Sequence, residues 1–484
     1  MLKLYILRHR LLITTGMILT PTILLVVLVA IHVIPLPGQG DAAVFGTPAN
    51  VFRQPLQLSH DPYTNTDSQH FTEVEPDTYS YGSTIVTAFQ AGRFADGGSS
   101  NTGWATSTNG GQTWKSGFLP GTTQFAGGPY TRVSDPAVAY DSVHHTWMIS
   151  SLAEVGSGLT LATHTVIVSL STDGGLTWSK PYKVIDGGST YYDKDWITCD
   201  TSSTSPYSGN CYVEWDNDDK GGLILMSTSR DGGHTWSKPQ TTADAALGLG
   251  GQPLVQPDGT VIVPIAGYGT MSLRSFISKD GGYTWGKTAL IANINGNVLP
   301  SAQIDGAGKV YLVWIDCQFE KNCNATGGGE DAVMQPSDTQ EDDLVMSTTI
   351  DGIHWTRPQL IPADPLGSGI DHLIPGIGVD RNTSGAKARL ALTFYYHPAS
   401  CDSACPYSVG FVSSTDGGAH WTPEITLTGP MDLSWLPIGR NKVGDYISTS
   451  FCGGLAFPVF SIAFAPDHGH LNEAIYTVSG GLSV

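Results

Sequence analysis

The sequence predicts an all-β chain folded as a β-propeller, on three observations: a Gly- and Pro-rich composition, a turn octet occurring six times, and strand-like runs in constant order around each octet. Of 484 residues, 58 are Gly and 29 are Pro, and 14% are charged. Many short strands joined by tight turns want that mixture, whereas helices want Ala, Leu, Glu and Lys.

The octet is seen most plainly in Ser107-Thr-Asn-Gly-Gly-Gln-Thr-Trp114, Ser171-Thr-Asp-Gly-Gly-Leu-Thr-Trp178, Ser229-Arg-Asp-Gly-Gly-His-Thr-Trp236 and Ser278-Lys-Asp-Gly-Gly-Tyr-Thr-Trp285. Two looser copies end at Trp355 and Trp421. Their third-position residues, Asn109, Asp173, Asp231, Asp280, Asp351 and Asp416, lie 64, 58, 49, 71 and 65 residues apart. The chemistry is that of a hairpin turn. Asp or Asn accepts backbone N–H groups a few residues on, Gly supplies a positive φ, and Ser or Thr ties the far side. The Trp starts the next strand as an apolar anchor. A repeated turn of this kind is structural, so the six acidic or amide positions are not read as catalytic.

Each octet follows an apolar or alternating strand, as Thr165–Ser171 precedes the second copy, and a short strand such as Lys180–Ile185 follows it. Two further strands upstream, Pro136–Tyr140 and Thr146–Ser151 in that repeat, make four strands per unit with the octet between the third and fourth. Such units repeated radially hide their sheet faces against one another. Three strands after Trp421 (445–450, 456–463 and 473–478) lack a fourth, and 50–58 is a strand without a unit. Joining them closes a seventh blade from both chain ends and removes the open edge. Seven blades are therefore predicted, with six as the alternative.

Residues 1–40 read as a cytoplasmic stub and a transmembrane signal-anchor, and 41–484 as an extracellular domain. Lys3, Arg8 and Arg10 precede an apolar stretch from Leu11 to Ile34, long enough to span a hydrocarbon core of about 30 Å. The basic flank puts the N-terminus inside, and the alternative is secretion after signal cleavage. Beyond that flank 43 acids face 21 bases, a surface that repels nucleic acid. The seven cysteines fit export: Cys199/Cys211, Cys317/Cys323 and Cys401/Cys405 are local pairs, with Cys452 left free. Their spacing does not suit zinc, and no metal-ligand set is read from the sequence. The chain is expected to be a monomer that meets the membrane only through its anchor.

The octets resemble the Asp boxes of the sialidase superfamily and its BNR-repeat relatives, with this chain as a divergent member. Val86-Thr-Ala-Phe-Gln-Ala-Gly-Arg93 followed by Asp96 is similar to the segment where that family keeps a carboxylate-binding Arg and a general acid/base Asp. The resemblance implies those roles for Arg93 and Asp96, and a Tyr nucleophile at Tyr446 within Gly444-Asp445-Tyr446. One strand before Arg93 the family has an arginine, but Val74-Glu75-Pro76 places a glutamate there. Beside a sugar carboxylate that exchange costs a few kcal/mol.

In a four-stranded blade the octets lie on one face and the blade connections on the other, where sites of this family form. That second face carries Glu75, Arg93, Asp96, Arg132, Asp135, Asp193, Asp195, Trp196, Asp371, His372, Asp445 and Tyr446, with Arg440 as a third arginine. Glu75 and Asp135 are added to Asp96 and Tyr446 as catalytic candidates; Arg93, Arg132, Arg440, Asp193, Asp195 and Asp445 are read as substrate-binding. Trp435, in a stretch expected to be exposed, is the candidate for stacking on a sugar ring. The 317–343 loop is expected to overhang this face. Carboxylates converging on a channel need arginines, a cation or raised pKa values. No cofactor is required, and Ca²⁺ is compatible with oxygen ligands. Two functions follow: a cell-surface glycoside hydrolase of exo-α-sialidase type, or a non-catalytic propeller binding glycan or protein.

Overall fold

The computed structural model describes residues 54–156, 163–295, 299–321, 323, 341–401, 405–437 and 443–484. The predicted stub and anchor, most of the 317–343 loop, and Arg440 lie outside the described residues. Among the described residues no helix is long and apolar enough to cross a membrane.

The fold is all-β, its strands gathered in six antiparallel sheets. The largest has eight strands but is two four-stranded units joined by one residue pair, Ser99 opposite Val133. In most units strands that are neighbours in sequence are neighbours in space and are joined by hairpins; the exceptions are the unit with a divided inner strand and the one that takes strands from both ends of the chain. Both faces are covered: Val310–Asp316, reading Val-Tyr-Leu-Val-Trp-Ile-Asp, is buried at each position. A strand buried on both sides loses the polar alternation of a half-exposed one. The largest fully buried side chains include Trp215, Trp314, Tyr212 and Tyr311. At about 25 cal/mol per Å², hiding one such ring is worth about 4–6 kcal/mol.

The octets form the turns their chemistry requires. In the second copy the Ser171 hydroxyl donates to Asp173 Oδ1 (2.8 Å) and accepts the Gly175 amide (3.0 Å). Asp173 also takes the Thr177 amide and hydroxyl at 2.9 and 2.6 Å, and Gly174 and Gly175 sit at φ 83° and 80°. Burial, the largest single effect, pushes the Asp173 carboxyl up, but these bonds together outweigh it and hold the carboxyl below its ordinary value. In the sixth copy His420 takes the place of Thr, its ring meeting Asp416 at 2.7 Å.

Two units depart from the four-strand plan. After Trp236 the fourth strand shrinks to an isolated bridge, Met226 with Gln240, although the same Trp-Ser-Lys-Pro run at 178–181 leads into the strand Tyr182–Asp186. In the next unit the inner strand is split into Gly248–Leu249 and Leu254–Val255 around Gly250-Gly251-Gln252-Pro253.

The chain ends meet as predicted. Pro55–Gln57 pairs with Glu473–Val478, Pro55 opposite Val478 and Gln57 opposite Tyr476, and that sheet continues inward through Leu455–Ala463 to Ser448–Cys452. The first strands of successive units touch in chain order, and Ser448–Cys452 touches Gln69–Tyr81 at the other end of the series. The three predicted disulfides are formed, and Cys452 is free and buried.

Candidate functional site

Four of the inner strands carry the same irregularity near their first residues. Register shifts fall between Val74 and Asp77, Ser134 and Ala137, Asp193 and Trp196, and Leu373 and Gly376. At each a non-glycine residue takes a left-handed backbone: Glu75 (φ 54°), Asp135 (48°), Lys194 (51°) and Ile374 (50°). Such a residue costs on the order of 1–3 kcal/mol, and bulges re-aim the side chain they carry. Three of the four, Glu75, Asp135 and Lys194, are charged and buried.

The charged groups close a ring of contacts. Lys194 Nζ lies 2.6 Å from Asp445 Oδ2 and 3.5 Å from Asp135 Oδ1. The Ser134 hydroxyl donates to Asp135 Oδ2 at 3.0 Å and accepts from Gln90 Nε2 at 3.3 Å. Gln90 also donates to Glu75 Oε2, and Glu75 Oε1 takes the backbone amide of Asp445 at 3.3 Å. Lys194, only 8% exposed at its side chain, is the cation of this ring among the described residues.

Behind the ring lies a second layer of acids. Asp195, Glu214 and Asp216 are fully buried, and burial first, then neighbouring carboxyls, holds all three well above the ordinary carboxylate range. Ser150 and the Leu152 amide lie beside Asp195 without closing a bond of normal geometry. Burial thus favours the protonated form of each. Glu214 fits because residue 251 is Gly, where a Cβ would stand 2.5 Å from the Glu214 Cδ.

Asp135, Lys194, Asp195, Trp196, Asp445 and Tyr446 line one side of an opening of about 420 Å³, most of it continuous with solvent; Leu299, Pro300 and Pro375 line the other. Little more than one water fits below its rim. Trp196 and Tyr446 meet edge to face at 5.2 Å, and the Tyr446 hydroxyl donates to the Pro136 carbonyl at 3.1 Å. Burial, then Glu75 and Asp135, holds the Tyr446 phenol well above its ordinary value.

Of the residues singled out in the sequence, Asp135, Asp195, Asp445 and Tyr446 are therefore brought together, with Glu75 bonded behind Asp445. Asp193 accepts the Lys194 amide at 2.9 Å and faces Asp216 across the sheet. Arg93, Asp96 and Arg132 are not among the residues lining this opening. Arg132 is bonded to Asp96 at 2.6 Å and to the Gly97 carbonyl at 2.7 Å, and stacks 4.1 Å over Phe94. The Arg93 charge bears on buried Glu473. The stretch around Trp435, expected to be exposed, is not: Leu433 and Leu436 are buried and the half-buried Trp435 packs on the core. An apolar pair flanking a short 3₁₀ turn is drawn inward, and the indole follows it.

Lys194, Gln90, Glu214 and Asp216 belong to the site and were not singled out in the sequence. Glu214 and Asp216 had a signal, two acids at period two inside the apolar run Tyr212-Val-Glu-Trp-Asp216. Lys194, between two aspartates, reads as a solvated charge.

A family model described as a BNR repeat-like domain matches residues 166–326. No curated protein matches the chain. Among solved structures, a Hadza microbial sialidase is 13% identical over 86% of this chain and 66% of its own, with a TM-score of 0.45. The Trypanosoma rangeli sialidase in complex with the inhibitor DANA is 11% identical over 88% of this chain and 59% of its own, at 0.45. A polysaccharide lyase, an ulvan lyase, is 11% identical over 88% and 96%, at 0.48. The chain thus spans two thirds or less of the length of these two sialidases. The stretch that matches the BNR repeat-like model takes in three of the six octets, those ending at Trp178, Trp236 and Trp285, and these three fold as the same turn.

Proposed function

We propose that this chain is a seven-bladed propeller, held outside the cell by its N-terminal anchor, that hydrolyses glycosidic bonds in the cup at the inner-strand ends. The seven-bladed reading is supported by the series of inner strands in which Ser448–Cys452 returns to Gln69–Tyr81, and by the pairing of both chain ends in one sheet. The export reading is supported by the basic flank, the apolar stretch to Ile34 and the three disulfides. A glycan as the substrate fits the superfamily and the sialidases, lyase and arabinofuranosidase among similar folds.

One observation carries the catalytic reading: Asp195, whose carboxyl burial holds well above the ordinary carboxylate range, lines the same opening as Asp135 and Asp445, which are ion-paired to Lys194. Glycoside hydrolysis needs such a division, one carboxyl giving its proton to the leaving oxygen while an ionised partner activates water or attacks the sugar carbon. Asp195 is the donor in this reading, and Asp135 or Asp445 the ionised partner. Asp96, bonded to Arg132 and half exposed, is less suited to the acid's role; Tyr446, whose hydroxyl is spent on Pro136, is less suited to a nucleophile's. With Lys194 the cation against Glu75, Asp135 and Asp445, the cup favours an uncharged sugar over a sialic acid.

A second reading, glycan binding without turnover, is favoured by the small space below the rim. The test is the full-length chain in detergent on fluorogenic glycosides, a sialoside included, with Asp195→Asn beside it. Turnover of an uncharged glycoside, lost in Asp195→Asn, is the expected result. Glycan-array binding with no turnover on any substrate leaves the second reading in its place.

A further inference from the structure

A separate cluster lies where the fifth and sixth octet-bearing units adjoin. Asp343 opens the strand Asp343–Thr349, His372 is the third residue of the strand Ile370–Val379, and Asp364 belongs to the connection between the two sheets. One ligand atom of each lies within 4.8 Å of the others. None of the three lines the opening of the candidate active site.

Two of these atoms are buried without hydrogen-bond partners. His372 Nε2 and Asp343 Oδ2 are both shut from solvent, and the His372 side chain is 1% exposed. An isolated polar atom in such a place costs about 1–3 kcal/mol, and fewer than one in ten buried groups is left so. The other ring nitrogen explains the orientation. His372 Nδ1 lies 2.9 Å from the Asp342 carbonyl, which can only accept, so Nδ1 carries a proton and, in the neutral ring, Nε2 presents a lone pair. Asp364 is oriented in the same manner: Ser368 donates to its Oδ2, leaving Oδ1 3.6 Å from His372 Nε2. A ring N–H on a carbonyl and a hydroxyl on a ligating carboxylate are the supports that metal ligands use.

We infer that His372 Nε2, Asp364 Oδ1 and Asp343 Oδ2 bind one divalent cation of the zinc class, clipping the two sheets together. Two ligands at about 2.1 Å from a tetrahedral ion stand about 3.4 Å apart. The His372–Asp364 separation of 3.6 Å meets that, and Asp343 offers a ligand atom within 4.8 Å of one from each of the other two. The imidazole selects the metal: Ca²⁺ and Mg²⁺ take oxygen ligands, whereas Zn²⁺ takes nitrogen with oxygen. Glu320, Glu341 and Asp342 add negative charge around Asp343, and Glu424 around Asp364, which a cation offsets. The Asp364 side chain, 17% exposed, is the way in.

The test is made on tag-free full-length chain, stripped with chelator and titrated separately with zinc, cobalt and calcium, then assayed for bound metal after dialysis. One zinc per chain is expected, raising the melting temperature, with a tetrahedral cobalt absorption band; Asp364→Asn and His372→Gln each weaken zinc by about 100-fold or more. Asp364→Asn sits at a part-exposed position, and its urea midpoint without metal reports whether it is folded. Zinc binding unchanged by Asp364→Asn in folded protein overturns the assignment, as does calcium binding more tightly than zinc. Wild-type protein that retains no zinc overturns it as well.

Discussion

Replacing Lys194 with Met tests the electrostatics of the cup most directly. The ammonium group lies 2.6 Å from Asp445 and 3.5 Å from Asp135, which at an effective dielectric near 20 is about 6 and about 5 kcal/mol of attraction. Desolvation of the three groups offsets most of that, but removing one partner of a buried pair still costs about 3–5 kcal/mol because the others stay charged. Protonation sets a ceiling. A stranded carboxylate can take up a proton, and from an ordinary Asp value near 3.9 that costs about 4 kcal/mol at neutral pH, falling by about 1.4 per pH unit. Lys194→Met is therefore expected to lose about 3–4 kcal/mol in urea unfolding at pH 7.5 and about half of that near pH 5. The Met keeps a long apolar stem, so packing changes little. Lys194→Met/Asp445→Asn is expected to recover at least about 1 kcal/mol over the single variant. A loss below about 1 kcal/mol at pH 7.5, or one equal at both pH values, refutes the reasoning.

Three further outcomes are expected. Burial pushes Glu73 up to about 8 and Asp77 and Glu154 up to about 7, so the folded state holds protons that the unfolded chain has released. That stability is complete below about pH 4 and is lost as pH rises to about 8; the lowered octet aspartates, Asp416 at about 2 among them, act oppositely and lose theirs only in stronger acid. Melting temperature measured from about pH 3 to pH 9 should thus peak near about pH 4–5, and a steady rise to pH 8 would contradict the burial of these acids. Asp231→Ala removes the acceptor for the Thr235 amide and hydroxyl at 2.9 and 2.6 Å, and is expected to cost about 1–2 kcal/mol in urea unfolding. Glycan binding and turnover should not change, and a selective loss of either would tie the octet to the site. Leu56→Asp places a charge on the N-terminal strand opposite Thr477, and is expected to cost about 2 kcal/mol and speed amide exchange over Tyr476–Val478. Unchanged exchange there would show that the strand does not close the edge.

The division between what the sequence determined and what the structure decided follows from the range of the interactions involved. The octets were legible because Asp173, Gly174, Gly175 and Thr177 satisfy one another within a few residues, and the same local bonds recur at Asp231 and Asp280. Strand order and the meeting of both chain ends were legible because hydrophobic runs at regular spacing leave three strands over at the C-terminal end and one at the N-terminal end. Disulfide pairing was legible because each loop is short. The site was legible only as a set of strand-opening acids. Which of them converge depends on the backbone bulges at Glu75, Asp135 and Lys194, where a positive φ turns a side chain toward partners up to 370 residues away. No local pattern specifies that turn, so Lys194 looked solvated and Arg132 looked free, although the first is the buried cation of the cup and the second is bonded to Asp96. The sequence by itself determined the repeating turn and the strands around it; only the tertiary structure decided which charges meet, because burial and partnership belong to the packed sheets and not to the residues alone.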